Sequence, residues 1–75
     1  MPSIHPTSFI DPQAELAPSV QVGPYCIIRG KVKLADNVVL LNNVTIEGPV
    51  EIGSGTTLFP GACIGFPAQD VKFKL

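Results

Sequence analysis

Counting forward in sixes from Ile4 meets Ile10, Leu16, Val22, Ile28, Leu34, Leu40, Ile46, Ile52, Leu58 and Ile64, a large aliphatic at every step. Ile, Leu and Val make up about 28% of the 75 residues. Eleven consecutive hits therefore have a chance of order one in a million, roughly tenfold larger once six phases are allowed, so the period is real. Two residues before each aliphatic stand small or β-branched side chains, among them Ser8, Ala14, Val20, Cys26, Val32, Val38 and Val44. Side chains of a strand alternate between faces, so both columns point the same way, toward a core. Two residues after each aliphatic come Pro6, Pro12, Pro18, Pro24, Gly30, Asp36, Asn42, Gly48, Ser54 and Pro60, which are turn formers, and only Phe66 departs.

One very short strand plus one turn per six residues predicts an all-β fold, a parallel β-helix of hexapeptide repeats with about three to four triangular coils. A proline every six residues would remove amide donors repeatedly along an α-helix, whereas at a corner it presets φ at little cost. With three hexads per coil, residues 18 apart stack as neighbouring parallel strands about 4.8 Å apart. The expected ladders are Ile10, Ile28, Ile46 and Ile64; Ile4, Val22, Leu40 and Leu58; and Leu16, Leu34 and Ile52. Each inward aliphatic is worth roughly 1.5–3 kcal/mol on burial. Cys26 falls in the inward column and Cys63 one place off it, about two coils higher, roughly 9–10 Å away, too far for a disulfide.

Composition narrows the function. The chain is 45% hydrophobic and 15% charged, which suits a folded piece rather than a disordered one. A net charge of −1 and five scattered basic residues exclude a nucleic-acid footprint and a polybasic membrane patch. The longest aliphatic run, Val38 to Leu41, is far short of the roughly 20 residues a bilayer requires. The N-terminus has neither the basic nor the apolar region of a secretory signal, so a cytoplasmic location is expected. With two unpaired cysteines and one histidine, a zinc site lacks ligands, and no metal is expected.

No catalytic constellation emerges from spacing alone. His5, the single histidine, lies in the first turn and reads as a surface residue. Asp11, Glu15, Asp36, Glu47 and Glu51 fall at outward positions and read as a solvated face. Gly53-Ser54-Gly55 lacks the lysine and strand-to-helix context of a phosphate loop, and Gly23, Gly53 and Gly65 read as corner residues. Gln69-Asp70-Val71-Lys72-Phe73-Lys74 is different, because Asp70 stands where the next inward aliphatic belongs. The whole of residues 1–75 reads as one β-helix segment, the N-terminal coils of a longer domain, with 69–75 a loop leaving the repeat. Such excursions from a rigid scaffold carry binding groups, here an acceptor, a donor and a charge.

The stretches Ile4-His5-Pro6-Thr7, Val22-Gly23-Pro24-Tyr25-Cys26-Ile27-Ile28, Ile46-Glu47-Gly48-Pro49 and Phe59 to Gly65, followed by Gln69-Asp70-Val71-Lys72-Phe73, resemble the N-terminal part of the acyl-acyl-carrier-protein:UDP-N-acetylglucosamine O-acyltransferases. The hexads are common to many acetyltransferases and γ-class carbonic anhydrases; the Gln-Asp-hydrophobic-Lys-aromatic stretch narrows the resemblance to this family and away from the N-acyltransferase of the same pathway. The resemblance implies a left-handed coil, a homotrimer in the full-length form, and the first step of lipid A biosynthesis. That step moves a 3-hydroxyacyl chain from acyl carrier protein to the 3-hydroxyl of UDP-N-acetylglucosamine, without a metal or organic cofactor. It further implies that Asp70 hydrogen-bonds the sugar and that Lys72 contacts nucleotide or donor groups, with Gln69 a weaker candidate. The family's catalytic histidine maps beyond Leu75, and His5 matches a first-coil structural histidine, so no catalytic residue is assigned and the polypeptide alone is expected to be inactive. The competing expectation is a non-catalytic β-helix that trimerises or stacks through its exposed ends.

Overall fold

A turn former every six residues leaves room for strands of only two or three residues, and those are the elements of the computed structural model, which describes residues 1–65. Eleven strands follow in order: β1 Ser3–Ile4, β2 Phe9–Ile10, β3 Glu15–Leu16, β4 Gln21–Val22, β5 Ile27–Arg29, β6 Val32–Leu34, β7 Val39–Leu40, β8 Thr45–Glu47, β9 Val50–Ile52, β10 Thr57–Leu58 and β11 Cys63–Ile64. They assemble into three parallel sheets, β1-β4-β7-β10, β2-β5-β8-β11 and β3-β6-β9, which form the three faces of a prism. Three strands per coil make three complete coils and two strands of a fourth.

The register is that of the 18-residue period throughout. Ile4 lies over Val22 and Val22 over Leu40; Ile10 stands over Ile28, Ile28 over Ile46 and Ile46 over Ile64; Leu16 stands over Leu34 and Leu34 over Ile52. A slip of one residue would turn each aliphatic outward, so burial of the columns holds the register. The core is made of the two inward columns: Val22, Ile28, Leu34, Leu40, Ile46 and Ile52 with Val20, Cys26, Val32, Val38 and Val44 between them. Burial is greatest in the middle of the stack. Ile28 and Ile46 are fully buried, whereas Ile4, packed by a coil on one side, keeps 39% of its surface. Cys26 is buried in the core and Cys63 is exposed, both as free thiols, as the column arithmetic requires.

Glycine at two corners is a steric necessity. A Cβ on Gly23 would overlap the carbonyl oxygen of Leu41 in the next coil, whose neighbouring Leu40 carbonyl accepts the Gly23 N–H at 2.8 Å. Gly65 combines a left-handed φ of +88° with a Cβ direction blocked by the Glu47 carbonyl. Gly53, by contrast, has open space around its Cβ direction, so its corner does not depend on close approach.

Candidate functional site

Gln69, Asp70 and Lys72 lie outside the described residues, as does Phe66, the exception in the turn column. The described chain reaches Gly65, immediately before that stretch. β10 and β11 bring it there through the Phe59–Ala62 turn, closed by an Ala62 N–H to Phe59 carbonyl bond of 3.1 Å. Gly65 continues the outward corner column of Asp11, Arg29 and Glu47, each 18 residues from the next. Arg29 and Glu47 face each other at 4.0 Å with both side chains well solvated. An exposed pair of that kind contributes little to stability.

The three faces differ in chemistry. Outward positions of the third sheet carry Glu15, Lys33 and Glu51, stacked with alternating sign. The first sheet presents the uncharged Ser3, Gln21, Val39 and Thr57; the second presents the uncharged Phe9, Ile27, Thr45 and Cys63, with Arg29 and Glu47 at the ends of β5 and β8 as its charged residues. The corner between these two sheets adds exposed Tyr25, Leu41 and Phe59. Shallow depressions flank the charged third face, lined by Gln13, Glu15, Lys31 and Lys33, and a further one lies on the first face beside Gln21, Val39 and Leu41.

Nothing among the described residues assembles a nucleophile, base and orienting group. His5 is exposed, and its Nδ1 accepts the Thr7 N–H at 3.2 Å and the Thr7 hydroxyl at 2.9 Å, a local turn arrangement. No cluster of three His, Cys, Asp or Glu side chains suited to a metal occurs among the described residues. No helix among them is long and apolar enough to cross a membrane. Asp11, read from the sequence as part of a solvated face, does more than that. Its Oδ1 accepts the Gln13 N–H at 2.9 Å and its Oδ2 accepts the Gly30 N–H at 3.0 Å. Those two backbone donors, Gln13 first, hold its carboxyl below the usual carboxylate range against a small opposing effect of desolvation. The sequence signal was the Asp-Pro-Gln order, since an aspartate preceding a turn commonly bonds the amide two residues on.

Comparison with known proteins gives the relationship. An acyl-acyl-carrier-protein–UDP-N-acetylglucosamine O-acyltransferase of Thermodesulfovibrio yellowstonii is 50% identical over 74 residues, covering 99% of this chain and 29% of that protein. The protein of the same name from Rickettsia bellii is 52% identical over 72 residues, 96% of this chain and 26% of the relative. That of Chlamydia pneumoniae is 45% identical over 74 residues, 99% of this chain and 26% of its own length. The chain thus spans between a quarter and three-tenths of the curated relatives it matches. No family model matches it, and no solved structure does. At this identity, and over nearly its full length, the chain is homologous to part of the acyl-acyl-carrier-protein–UDP-N-acetylglucosamine O-acyltransferases, the family its hexads and its Gln69 to Phe73 stretch resemble.

Proposed function

We propose that this chain is the N-terminal β-helical part of an enzyme that moves a 3-hydroxyacyl chain from acyl carrier protein to the 3-hydroxyl of UDP-N-acetylglucosamine, the first step of lipid A biosynthesis. The observation that carries the reading is the 45–52% identity to three O-acyltransferases over at least 96% of the chain. In this reading the described coils are scaffold. Their stacked aliphatics hold a rigid prism, and the polar residues that follow Gly65 supply substrate contacts: Asp70 as acceptor for sugar hydroxyls, Lys72 as cation for phosphate or donor groups, and Gln69 as a weaker polar contact. The 75-residue polypeptide by itself lacks the family's catalytic histidine and is inactive. The full-length protein acts in the cytoplasm as a homotrimer, without nucleic acid as partner. The corner between the first and second faces, with Tyr25, Leu41 and Phe59 exposed at it and Phe9 exposed beside it, supports packing against further copies.

The test is a chimera in which residues 1–75 replace the matching segment of the Thermodesulfovibrio yellowstonii relative, assayed for acyl transfer between acyl carrier protein and the sugar nucleotide. Activity is expected in the chimera and absent from the isolated chain. Lys72→Ala in the chimera should lower kcat/KM by roughly 10- to 100-fold, the value of a lost charge-assisted hydrogen bond, and Asp70→Asn by a comparable factor. Turnover by the isolated chain would overturn the inactivity, and unchanged kinetics in both variants would remove Asp70 and Lys72 from the site.

A further inference from the structure

The first coil turns its corners differently from the second and third coils stacked on it. Its Pro6-Thr7, Pro12-Gln13 and Pro18-Ser19 turns are closed by their own i to i+3 bonds, Ser8 N–H to His5 O, Ala14 N–H to Asp11 O and Val20 N–H to Ala17 O, at 2.9–3.0 Å. In the second coil each of the three corners contains a residue of positive φ: Tyr25 at 59°, Gly30 at 77° and Asn37 at 62°. The amides of these residues need acceptors in the coil beneath. Between the second and third coils the corner acceptors are backbone carbonyls, with Asn43 N–H on Pro24 O at 3.0 Å, Gly48 N–H on Arg29 O at 2.8 Å and Gly55 N–H on Asp36 O at 2.9 Å.

Between the first and second coils the acceptors at all three corners are side-chain oxygens. Tyr25 N–H donates to Thr7 Oγ1 at 3.0 Å, Gly30 N–H to Asp11 Oδ2 at 3.0 Å and Asn37 N–H to Ser19 Oγ at 2.8 Å. Because His5 Nδ1 accepts the Thr7 N–H, the Thr7 hydroxyl also donates toward that nitrogen, which leaves its lone pairs free for Tyr25. We propose that the first coil is a built-in cap, in which Thr7, Asp11 and Ser19 select the positive-φ corners of the second coil as N-cap side chains select the first turn of a helix.

A left-handed backbone is unfavourable for a residue with a Cβ, and one net hydrogen bond returns a free energy of similar size, so a single acceptor decides on which side of the balance Tyr25 falls. Glycine carries no such cost, which sets the experiment. This inference is independent of the acyltransferase reading, because it concerns which oxygen receives which amide.

The test uses the 75-residue chain, urea unfolding, and the amide-to-α-proton coupling of residue 25, which reports φ. Thr7→Val should lower the folding equilibrium constant by about 2- to 13-fold and move the Tyr25 coupling away from its left-handed value. In a Tyr25→Gly background no left-handed cost is relieved when the bond is lost, so the same Thr7→Val change should cost more on the logarithmic scale than it does with Tyr25 in place. Ser19→Ala, tested against Asn37→Gly, should repeat the pattern at a second corner. Should Thr7→Val prevent folding, recovery of the fold by Tyr25→Gly supports the cap and failure to recover overturns it. Equal losses in the two backgrounds, or an unchanged Tyr25 coupling in Thr7→Val, also overturn it.

Discussion

Ile46→Val isolates what one buried methylene is worth in this prism. Ile46 is fully buried in β8, with Ile28 stacked below it and Ile64 above. β5 and β11 pair with β8 on its two sides, so the coil has little freedom to close over a missing carbon. Loss of one CH2 then costs about 0.8 kcal/mol in transfer plus a share for the void, together about 1–1.5 kcal/mol. A chain of this size has an m-value near 1 kcal/mol/M in urea, so the far-UV circular dichroism midpoint should fall by about 1 M. Ile4→Val removes the same atom from the start of the first-face ladder, where 39% of the residue's surface is already in water and one neighbouring coil rather than two packs against it. Its midpoint should fall by less than half as much. Equal shifts at the two positions would refute the argument that stacking from both sides sets the energetics, and a larger shift at Ile4 would reverse it.

Gly23→Ala should destabilise by about 3 kcal/mol, because the added methyl overlaps the Leu41 carbonyl oxygen and neither backbone yields without parting two coils; a change within 0.5 kcal/mol in the same urea assay would show that the coils approach less closely. Asp11 stabilises the fold while ionised, since two backbone amides hold its folded pKa below the unfolded value. That contribution is complete above about pH 4 and is lost as pH falls through the folded pKa. In Asp11→Ala the unfolding midpoint should therefore fall less between pH 5 and 2 than in the parent chain, and parallel acid limbs would sink the assignment. Thiol labelling should modify Cys63 in the native protein and Cys26 only on unfolding, as their exposed and buried positions require; rapid native modification of both would contradict the inward column.

The sequence alone determined the architecture because a six-residue period leaves few folds available. An aliphatic with a small partner two residues before it defines an inward face, and a turn former two residues after it defines a corner. From Ile4 to Ile64 these two conditions yield the strand positions, the 18-residue register and the placement of Cys26 and Cys63. The same pattern reads Asp11 as one more outward carboxylate. What it does there depends on Gly30, 19 residues away, whose amide reaches the carboxylate only once two coils are stacked. The positive φ of Tyr25 was equally hidden, for a residue with a Cβ carries no sequence mark of a left-handed backbone when the acceptor that favours it, Thr7 Oγ1, belongs to the preceding coil.

For the candidate site the balance is reversed. Gln69, Asp70 and Lys72 stand out by sequence because they interrupt the aliphatic column, and their proposed roles come from resemblance to a family that the comparisons support. The described structure ends before them, with Gly65 seated against Glu47 on a prism whose charges gather on one face and its adjoining corners. Periodicity in one dimension is enough to choose a solenoid, because each coil meets the same neighbours as the last. The hydrogen-bond partner of each corner amide is set by the residue one coil away, so only the stacked structure decides between a backbone carbonyl and the side chains of Thr7, Asp11 and Ser19.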